Sequence, residues 1–326
     1  MLKVLVTGAS GFVGSHIVET LLKTNYRVIC AVRKTSNLRW IKNLALECIY
    51  GDLNDKGFLE ANVKGIDVIV HCAGIVRAMA REEYFKANVE NTKNLCEAIL
   101  KNNPCLKKFI FISSQAAMGP ADSSDIEKAA DKCNPVSDYG LSKLAAELEI
   151  KKMLLRKVSY TILRPASVYG PRDKDIFIFF NLVRHHLRPF TITKRFLQLV
   201  YVKDVAKAVT LCIGNKKTDN NIYYLANSSI YTWADISKII SSSVGVKTFT
   251  LPIPDFFLKF VGLVSEMISC ITKKPTVLNN QKITEMLQEC WAADTKPAEN
   301  ALNIEFTNLE IASKITYNWY LINDFF

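Results

Sequence analysis

What this chain does not contain narrows its function early. Its nine cysteines form no C-x-x-C pair and no regular spacing, and its four histidines (His16, His71, His185, His186) make no zinc-binding pattern. A metal site and a disulfide framework are therefore not expected, and the cysteine usage reads as buried thiols of a reducing, cytoplasmic compartment. Cys30, Cys72 and Cys212 lie in apolar stretches where a small hydrophobe belongs. The formal net charge is +11, yet there is no block of like charge and no basic stripe with interleaved aromatics. The excess reads as a solvated cationic surface, and a nucleic-acid role is not expected. No internal repeat and no long linker interrupts the 326 residues, 49% of them hydrophobic, so a sizeable core can form.

Long uninterrupted apolar runs are missing too. The nearest approach is IPDFFLKFVGLVSEMISCIT at residues 253–272, broken by Lys259 and Glu266 and followed by Lys273 and Lys274. A spanning helix needs about 20 mainly apolar residues, and charges inside it are costly. The segment is expected as an amphipathic lobe helix or pocket lid, with a weak membrane-surface contact as the alternative. A secretory leader is not expected, since VLVTG at residues 4–8 already reads as a strand and loop.

What is present is alternation. KVLVTG, YRVICAVR, LECIYGD, DVIVHCAG, KKFIFISS and SYTILRPASVYG read as strands, with helical patterns such as SHIVETLLKTN, ENTKNLCEAILKNN and SDYGLSKLAAELEIKKMLLRK between several of them. This predicts an α/β fold, a Rossmann-type parallel sheet with helices on both faces. Residues 1–175 are expected as the dinucleotide-binding core. Residues 176–326 are expected mainly as a smaller, mostly helical substrate lobe, with about 198–225 returning to the core. Thr232 with Asp235, and Thr307 with Glu310, are the expected caps of two helices.

Two stretches carry the chemistry. In TGASGFVG, Gly8, Gly11 and Gly14 follow a strand and open a helix, where absent side chains permit a tight turn and bring backbone N–H groups to a pyrophosphate. Ser10, Phe12 and Val13 complete the candidate loop. An NAD site usually has an acid at the end of the second strand; here that place holds Val32, with Arg33 beside it. A guanidinium suits a 2′-phosphate, so NADP(H) is favoured over NAD(H), although Arg33 could also lie over the adenine. Asp52 is the candidate acceptor for the adenine amino group and Leu53 a candidate ring contact.

The second stretch is YGLSK, where Tyr139 and Lys143 stand four apart and share a helix face. A neighbouring ammonium should lower the phenol pKa from about 10 and make the pair a proton shuttle. The serines of FISSQ, at the end of a strand, place Ser114 to hold a substrate oxygen near Tyr139.

With these residues in this order, the chain resembles the extended short-chain dehydrogenase/reductases, also described as the NAD-dependent epimerase/dehydratase group, over practically its whole length. The resemblance implies a catalytic set of Ser114, Tyr139 and Lys143, with Asn88 supporting the active-site helix. It implies a cofactor-side loop at Cys72, Ala73 and Gly74, and a nicotinamide-side segment in RPASVYGPRD that includes Pro165, Ala166 and Val168. VYVKDVAKA, ending at Ala208, is similar to the family's core-returning strand and helix. SSQAAMGP and LRPASVYGP look like the branch of 3β-hydroxysteroid dehydrogenases and dihydroflavonol reductases.

Ser167 stands where sugar-nucleotide enzymes of the family carry an asparagine for the substrate diphosphate, although Arg172 could still meet a phosphate. Gln115 and Ala116 replace the acids that sugar 4,6-dehydratases add. The family also pairs subunits through two helices, here about 88–102 and 137–157, so a homodimer is expected. Three readings stay open: a hydroxyl/carbonyl oxidoreductase of a small or apolar substrate, a nucleotide-sugar epimerase with tightly held cofactor, and a non-catalytic cofactor-binding scaffold. Phe177, Phe179 and Phe180, with 253–272, are candidates for an apolar pocket lining, or alternatively for lobe core.

Overall fold

The computed structural model describes residues 1–121, 133–276 and 278–326. Seven strands form one parallel sheet: β1 (Leu2–Thr7), β2 (Tyr26–Val32), β3 (Glu47–Tyr50), β4 (Val68–His71), β5 (Lys108–Ile112), β6 (Tyr160–Pro165) and, much later in the chain, β11 (Asn221–Leu225). Their order is β11-β6-β5-β4-β1-β2-β3. Chain direction across the sheet reverses beside β1, the place where open α/β sheets take their ligands.

Both faces of the sheet are covered, which explains why its strands are nearly continuous apolar runs. Successive side chains point to opposite faces. Val4 and Val6 therefore pack with Ile17, Val18 and Leu21 of α1 (Phe12–Leu22) and with Val205 and Val209 of α7 (Val202–Cys212). Leu5, between them, packs on the other face with α2 (Lys56–Asn62), α4 (Asn91–Asn102) and α5 (Asp138–Leu154) through Leu59, Leu95, Ile99 and Ile150. A short α3 (Arg81–Tyr84) runs through a π-helical turn, Phe85–Glu90, into α4.

Most of the remaining elements build a second core, the lobe, although Ala298 and Leu302 of the helix Lys296–Leu302 and Val200 pack in the core of the sheet. After β7 (Ser167–Tyr169) come α6 (Phe177–Arg184), β8 (Leu187–Thr191), β9 (Phe196–Leu197) and β10 (Leu199–Tyr201). Beyond β11 follow β12 (Tyr231–Thr232), α8 (Trp233–Val244), β13 (Phe249–Ile253), α9 (Asp255–Thr272), α10 (Asn280–Met286), β14 (Cys290–Trp291), α11 (Lys296–Leu302) and α12 (Leu309–Ile322). The lobe core is aromatic. Phe177 meets Tyr320 edge-on at 5.0 Å, Phe179 stacks on Trp233 at 5.1 Å, and Phe180 lies fully buried 5.4 Å from Tyr320. The three phenylalanines thus help to hold the lobe together.

One cap is as expected and one is not. Thr232 and Asp235 form a reciprocal capping box on α8. At α12, however, Asn308 is the cap, accepting from the Ile311 N–H at 3.0 Å. Thr307 is already taken: its N–H and hydroxyl both donate to the Asp204 carboxylate of α7, at 2.7 and 3.0 Å. Among the described residues, no helix is long and apolar enough to cross a membrane.

Candidate active site

The sheet brings the candidate residues to one edge, at the carboxyl ends of its strands. Gly8, Ser10 and Gly11 follow β1, and Phe12, Val13 and Gly14 open α1. Arg33 follows β2, Asp52 and Leu53 follow β3, and Cys72 to Gly74 follow β4. Ser114 follows β5, Pro165 ends β6, and Ala166 and Val168 lead through β7.

The glycine loop has the shape an anion needs. Gly8 sits in the left-handed region at φ 70°, and a Cβ there would lie 2.6 Å from the Ala73 nitrogen. At Gly14 a Cβ would lie 2.1 Å from the Gly8 carbonyl oxygen, so only glycine lets the helix approach its own strand this closely. The cap of α1 is Gly11, which offers no side-chain acceptor, and no acid lies in the first turn. The leading N–H groups and the positive helix end are thereby left for a pyrophosphate, and the loop fits a dinucleotide.

At the adenosine end, Val32 is buried and Arg33 is exposed. Among the described residues, the Arg33 guanidinium has no hydrogen bond or ion pair; only its backbone N–H and C=O engage Ser36. Gly51 donates its N–H to the Val32 carbonyl, which sets Arg33 and Asp52 at the same corner. Oδ1 of Asp52 accepts from the N–H and side-chain amide of Asn54, both at 2.9 Å.

At the other end, Tyr139 lies in the first turn of α5 and is hydrogen-bonded to Ser114. Burial raises the phenol above its ordinary value, and the Ser114 hydrogen bond opposes that rise. Lys143, one turn on, donates from Nζ to the Ile112 carbonyl at 2.8 Å and lies 4.7 Å from the centre of the Phe111 ring. Burial brings its ammonium down to about 8. The expected depression of the tyrosine by the ammonium is thus not what dominates: the phenol is dry and stays protonated, and the amine is the group poised near neutrality.

Two sets of contacts hold this turn, and the sequence reading missed most of both. Asn88, buried in the π-helical turn, accepts from the Ile75 N–H at 2.8 Å and donates to the Ile75 carbonyl and to Ser142 Oγ, at 3.1 and 2.9 Å. Ser142 in turn donates to the Tyr139 carbonyl at 2.8 Å. Behind Asn88 runs a chain whose directions are fixed. Thr92 Oγ1 spends its proton on the Asn88 carbonyl, at 2.6 Å, so the 3.0 Å contact from His71 Nε2 must be a donation from the ring. His71 Nδ1 then accepts from Thr7 Oγ1 at 2.7 Å, and Thr7 Oγ1 accepts from the Ala73 N–H at 3.2 Å. His71 is fully buried, and burial, with the Lys143 charge nearby, pushes its pKa down to about 3. A neutral imidazole therefore ties the cofactor-side loop to Asn88.

One turn beyond Lys143, Glu147 is fully buried and takes both Nε and Nη2 of Arg164, at 2.9 and 2.6 Å, together with Ser113 Oγ. This pins α5 to β5 and β6. The signal was present, since Tyr139, Lys143 and Glu147 repeat at i, i+4 and i+8 on one helix face. From the lobe side, Ser137, the cap of α5, donates to Glu285 at 2.6 Å, and the Asp138 N–H and carboxylate both bond Gln281, at 2.9 and 2.6 Å. Arg172 is engaged with α1. It donates to Ser15 at 3.0 Å, pairs with Glu19, and lies 4.9 Å from the Trp40 ring centre, which binds it to the outside of α1.

The model of the NAD dependent epimerase/dehydratase family matches residues 4–226, which include the glycine loop, Asn88, Ser114, Tyr139 and Lys143. The chain belongs to that family. The chain is accordingly an NAD(P)-dependent oxidoreductase of the extended short-chain dehydrogenase type, a dehydrogenase, reductase or epimerase. Within the family it is 26% identical to the ceramide reductase of Caulobacter vibrioides, over 97% of this chain and 94% of that one. It is 31% identical to the UDP-glucose 4-epimerase of Vibrio cholerae, over 79% and 81%. The solved UDP-glucose 4-epimerase of Thermotoga maritima shares the fold, with a TM-score of 0.79 at 22% identity and 99% of each chain covered.

Proposed function

We propose that this family member is a reductase that uses NADPH to convert an apolar carbonyl compound to the alcohol. The observation that carries this reading is the state of the two arginines. Arg33 stands exposed and unpaired among the described residues, next to the Val32 position where an NAD enzyme would hold an acid, and Arg172 is engaged with Glu19 and Ser15. A 2′-phosphate therefore has a cation to meet, whereas a sugar-nucleotide diphosphate has lost the one this segment offered. The likeness to a ceramide reductase over nearly the whole chain supports a lipid-like carbonyl.

Gly8 to Gly14 would hold the pyrophosphate, Arg33 the 2′-phosphate, and Asp52 and Leu53 the adenine. Cys72 to Gly74, Pro165, Ala166 and Val168 would flank the nicotinamide. When bound, the cofactor supplies or accepts the hydride. Ser114 holds the substrate oxygen against Tyr139, and Tyr139 gives that oxygen its proton. Lys143, titrating near 8, returns a proton to the phenol and reaches the nicotinamide ribose. Homodimerisation through α4 and α5 belongs to the same reading.

The 31% identity with a UDP-glucose 4-epimerase favours a second reading, in which the cofactor stays bound through turnover. Titration of the purified protein with NADPH and NADH, after assaying any nucleotide that co-purifies, separates the two. The reductase is expected to bind NADPH tightly and exchangeably, and Arg33→Ala should weaken NADPH at least tenfold while leaving NADH nearly unchanged. A retained oxidised nucleotide would move the assignment to the epimerase, and equal losses for both cofactors would remove Arg33 from the 2′-phosphate.

A further inference from the structure

The inner and outer faces of α9 differ sharply. At roughly 100° per residue, Leu258, Gly262 and Ser269 share the buried face, where Gly262 packs on Asn280 and Ile283 of α10. Diametrically opposite lie Phe256, Phe260, Leu263, Val264, Met267 and Ile271, all exposed, with Phe256 74% and Ile271 80% accessible. Exposed apolar side chains are ordinary when scattered; a continuous helical stripe of this kind marks an interaction surface. It continues beyond the helix, since Phe249 and Leu251 on β13, leading into α9, are exposed as well.

Charge decides between occupants. From Lys247 to Lys274 the chain carries four lysines (Lys247, Lys259, Lys273, Lys274), all exposed, against two acids. Asp255 is neutralised by Arg195 through both oxygens, at 3.0 and 2.6 Å, while Glu266, bonded to the Asn280 amide, keeps its charge and is outnumbered by the four lysines. The free charge around the apolar stripe is therefore positive. An apolar stripe flanked by lysines, on a helix that cannot span a bilayer, has the composition of a helix lying in the interface of an anionic membrane.

We propose that the protein docks on anionic bilayers through the outer face of α9, with its apolar side chains among the acyl chains and Lys259, Lys273 and Lys274 at the headgroups. The inference does not depend on which reaction the site performs. It does give the lobe a bilayer-facing side, and that side is linked to the catalytic turn through α10, which bonds Ser137 and Asp138.

The test is co-sedimentation of the intact protein with vesicles of phosphatidylcholine containing about 30% phosphatidylglycerol, and with vesicles of phosphatidylcholine alone. Sedimentation with the anionic vesicles is expected, with at least tenfold weaker partitioning to neutral ones and release by high salt. The combined variant Phe256→Ser, Phe260→Ser, Met267→Ser, Ile271→Ser should lose at least tenfold in partitioning while retaining cofactor binding. Should that variant misfold, Phe260→Trp in the otherwise unaltered chain gives an independent signal: emission beyond that of the unaltered protein, blue-shifted on adding anionic vesicles. Absence of vesicle binding by the unaltered protein, equal partitioning of the serine variant when folded, or no blue shift in the added emission of the Phe260→Trp variant would each overturn the proposal. So would loss of a dimer in the serine variant with no vesicle binding by either form, which would assign the face to a second copy.

Discussion

On the sheet side, the helix bearing Tyr139 and Lys143 is held by a buried ion pair and an ordered run of hydrogen bonds. On the lobe side, the same helix meets partly buried polar groups of α10. The materials differ because the surroundings differ. Glu147 and Arg164 have left water altogether, so each is bound to its partner by the cost of being alone. Gln281 and Glu285 can exchange Asp138 and Ser137 for solvent at a net cost of about 1–2 kcal/mol per bond. The turn that carries the proposed proton donor Tyr139 thus has a fixed base and a cover that can yield, which suits admitting a substrate without displacing that residue.

The contrast is tested most severely at its centre. Tyr139→Phe keeps the ring and removes the proton, so turnover should fall by about 10²–10⁴-fold, the range for a general acid. Cofactor affinity should be nearly unchanged by titration. Retained turnover would show that the proton comes from elsewhere.

Next in size is the base. Glu147→Ala leaves the Arg164 guanidinium buried without its carboxylate and should cost about 3–5 kcal/mol in denaturant unfolding. A loss below about 1 kcal/mol would mean that water reaches the pair, and the base would be no firmer than the cover.

The sequence exposed the outline of this base but not its joints. The glycine loop, Ser114, Tyr139 and Lys143 were legible because each motif is local and the parallel sheet forces strand ends to one edge. His71 was not, because its partners, Thr7 and Thr92, lie on different elements and only strand pairing makes them neighbours. Phe177, Phe179 and Phe180 fit a pocket or a core equally well on paper. Their packing partners, Trp233 and Tyr320, lie more than fifty residues away and could not be read from spacing. Thr307 fits a capping pattern as well as Asn308 does, until Asp204 takes its hydroxyl. Spacing reports which residues share a face; it does not report what the face meets.

A pH profile gives a smaller and more specific effect. Burial of Lys143 brings its pKa to about 8, so the proton it returns to Tyr139 is present below that pH and lost above it. For carbonyl reduction, kcat/KM should be flat to about pH 7 and fall towards a tenfold loss per unit well above 8. The oxidising direction should gain over the same interval. A reduction rate flat to pH 10 would exclude Lys143 as the source of the returned proton.

The smallest effect is expected at the cover, and it tests whether the cover yields. Glu285→Ala removes the acceptor of Ser137 Oγ and a carboxylate whose charge helps keep the Tyr139 phenol protonated. Ser137 still caps the Gly140 N–H, and Trp291 still donates to the backbone carbonyl of residue 285, so neither α5 nor α10 loses its own anchoring. One hydrogen bond to a partly buried carboxylate, at about 1.5 kcal/mol, corresponds to about tenfold. That change should appear as a raised KM for the carbonyl substrate, with kcat and cofactor affinity little moved, because the bond closes the lobe over a turn that the sheet already fixes. A fall of a hundredfold in kcat with the KM unchanged would mean that α10 sets the position of Tyr139 in the transition state. The distinction between base and cover would then fail, since the lobe would be aligning the proton donor and not merely closing over it.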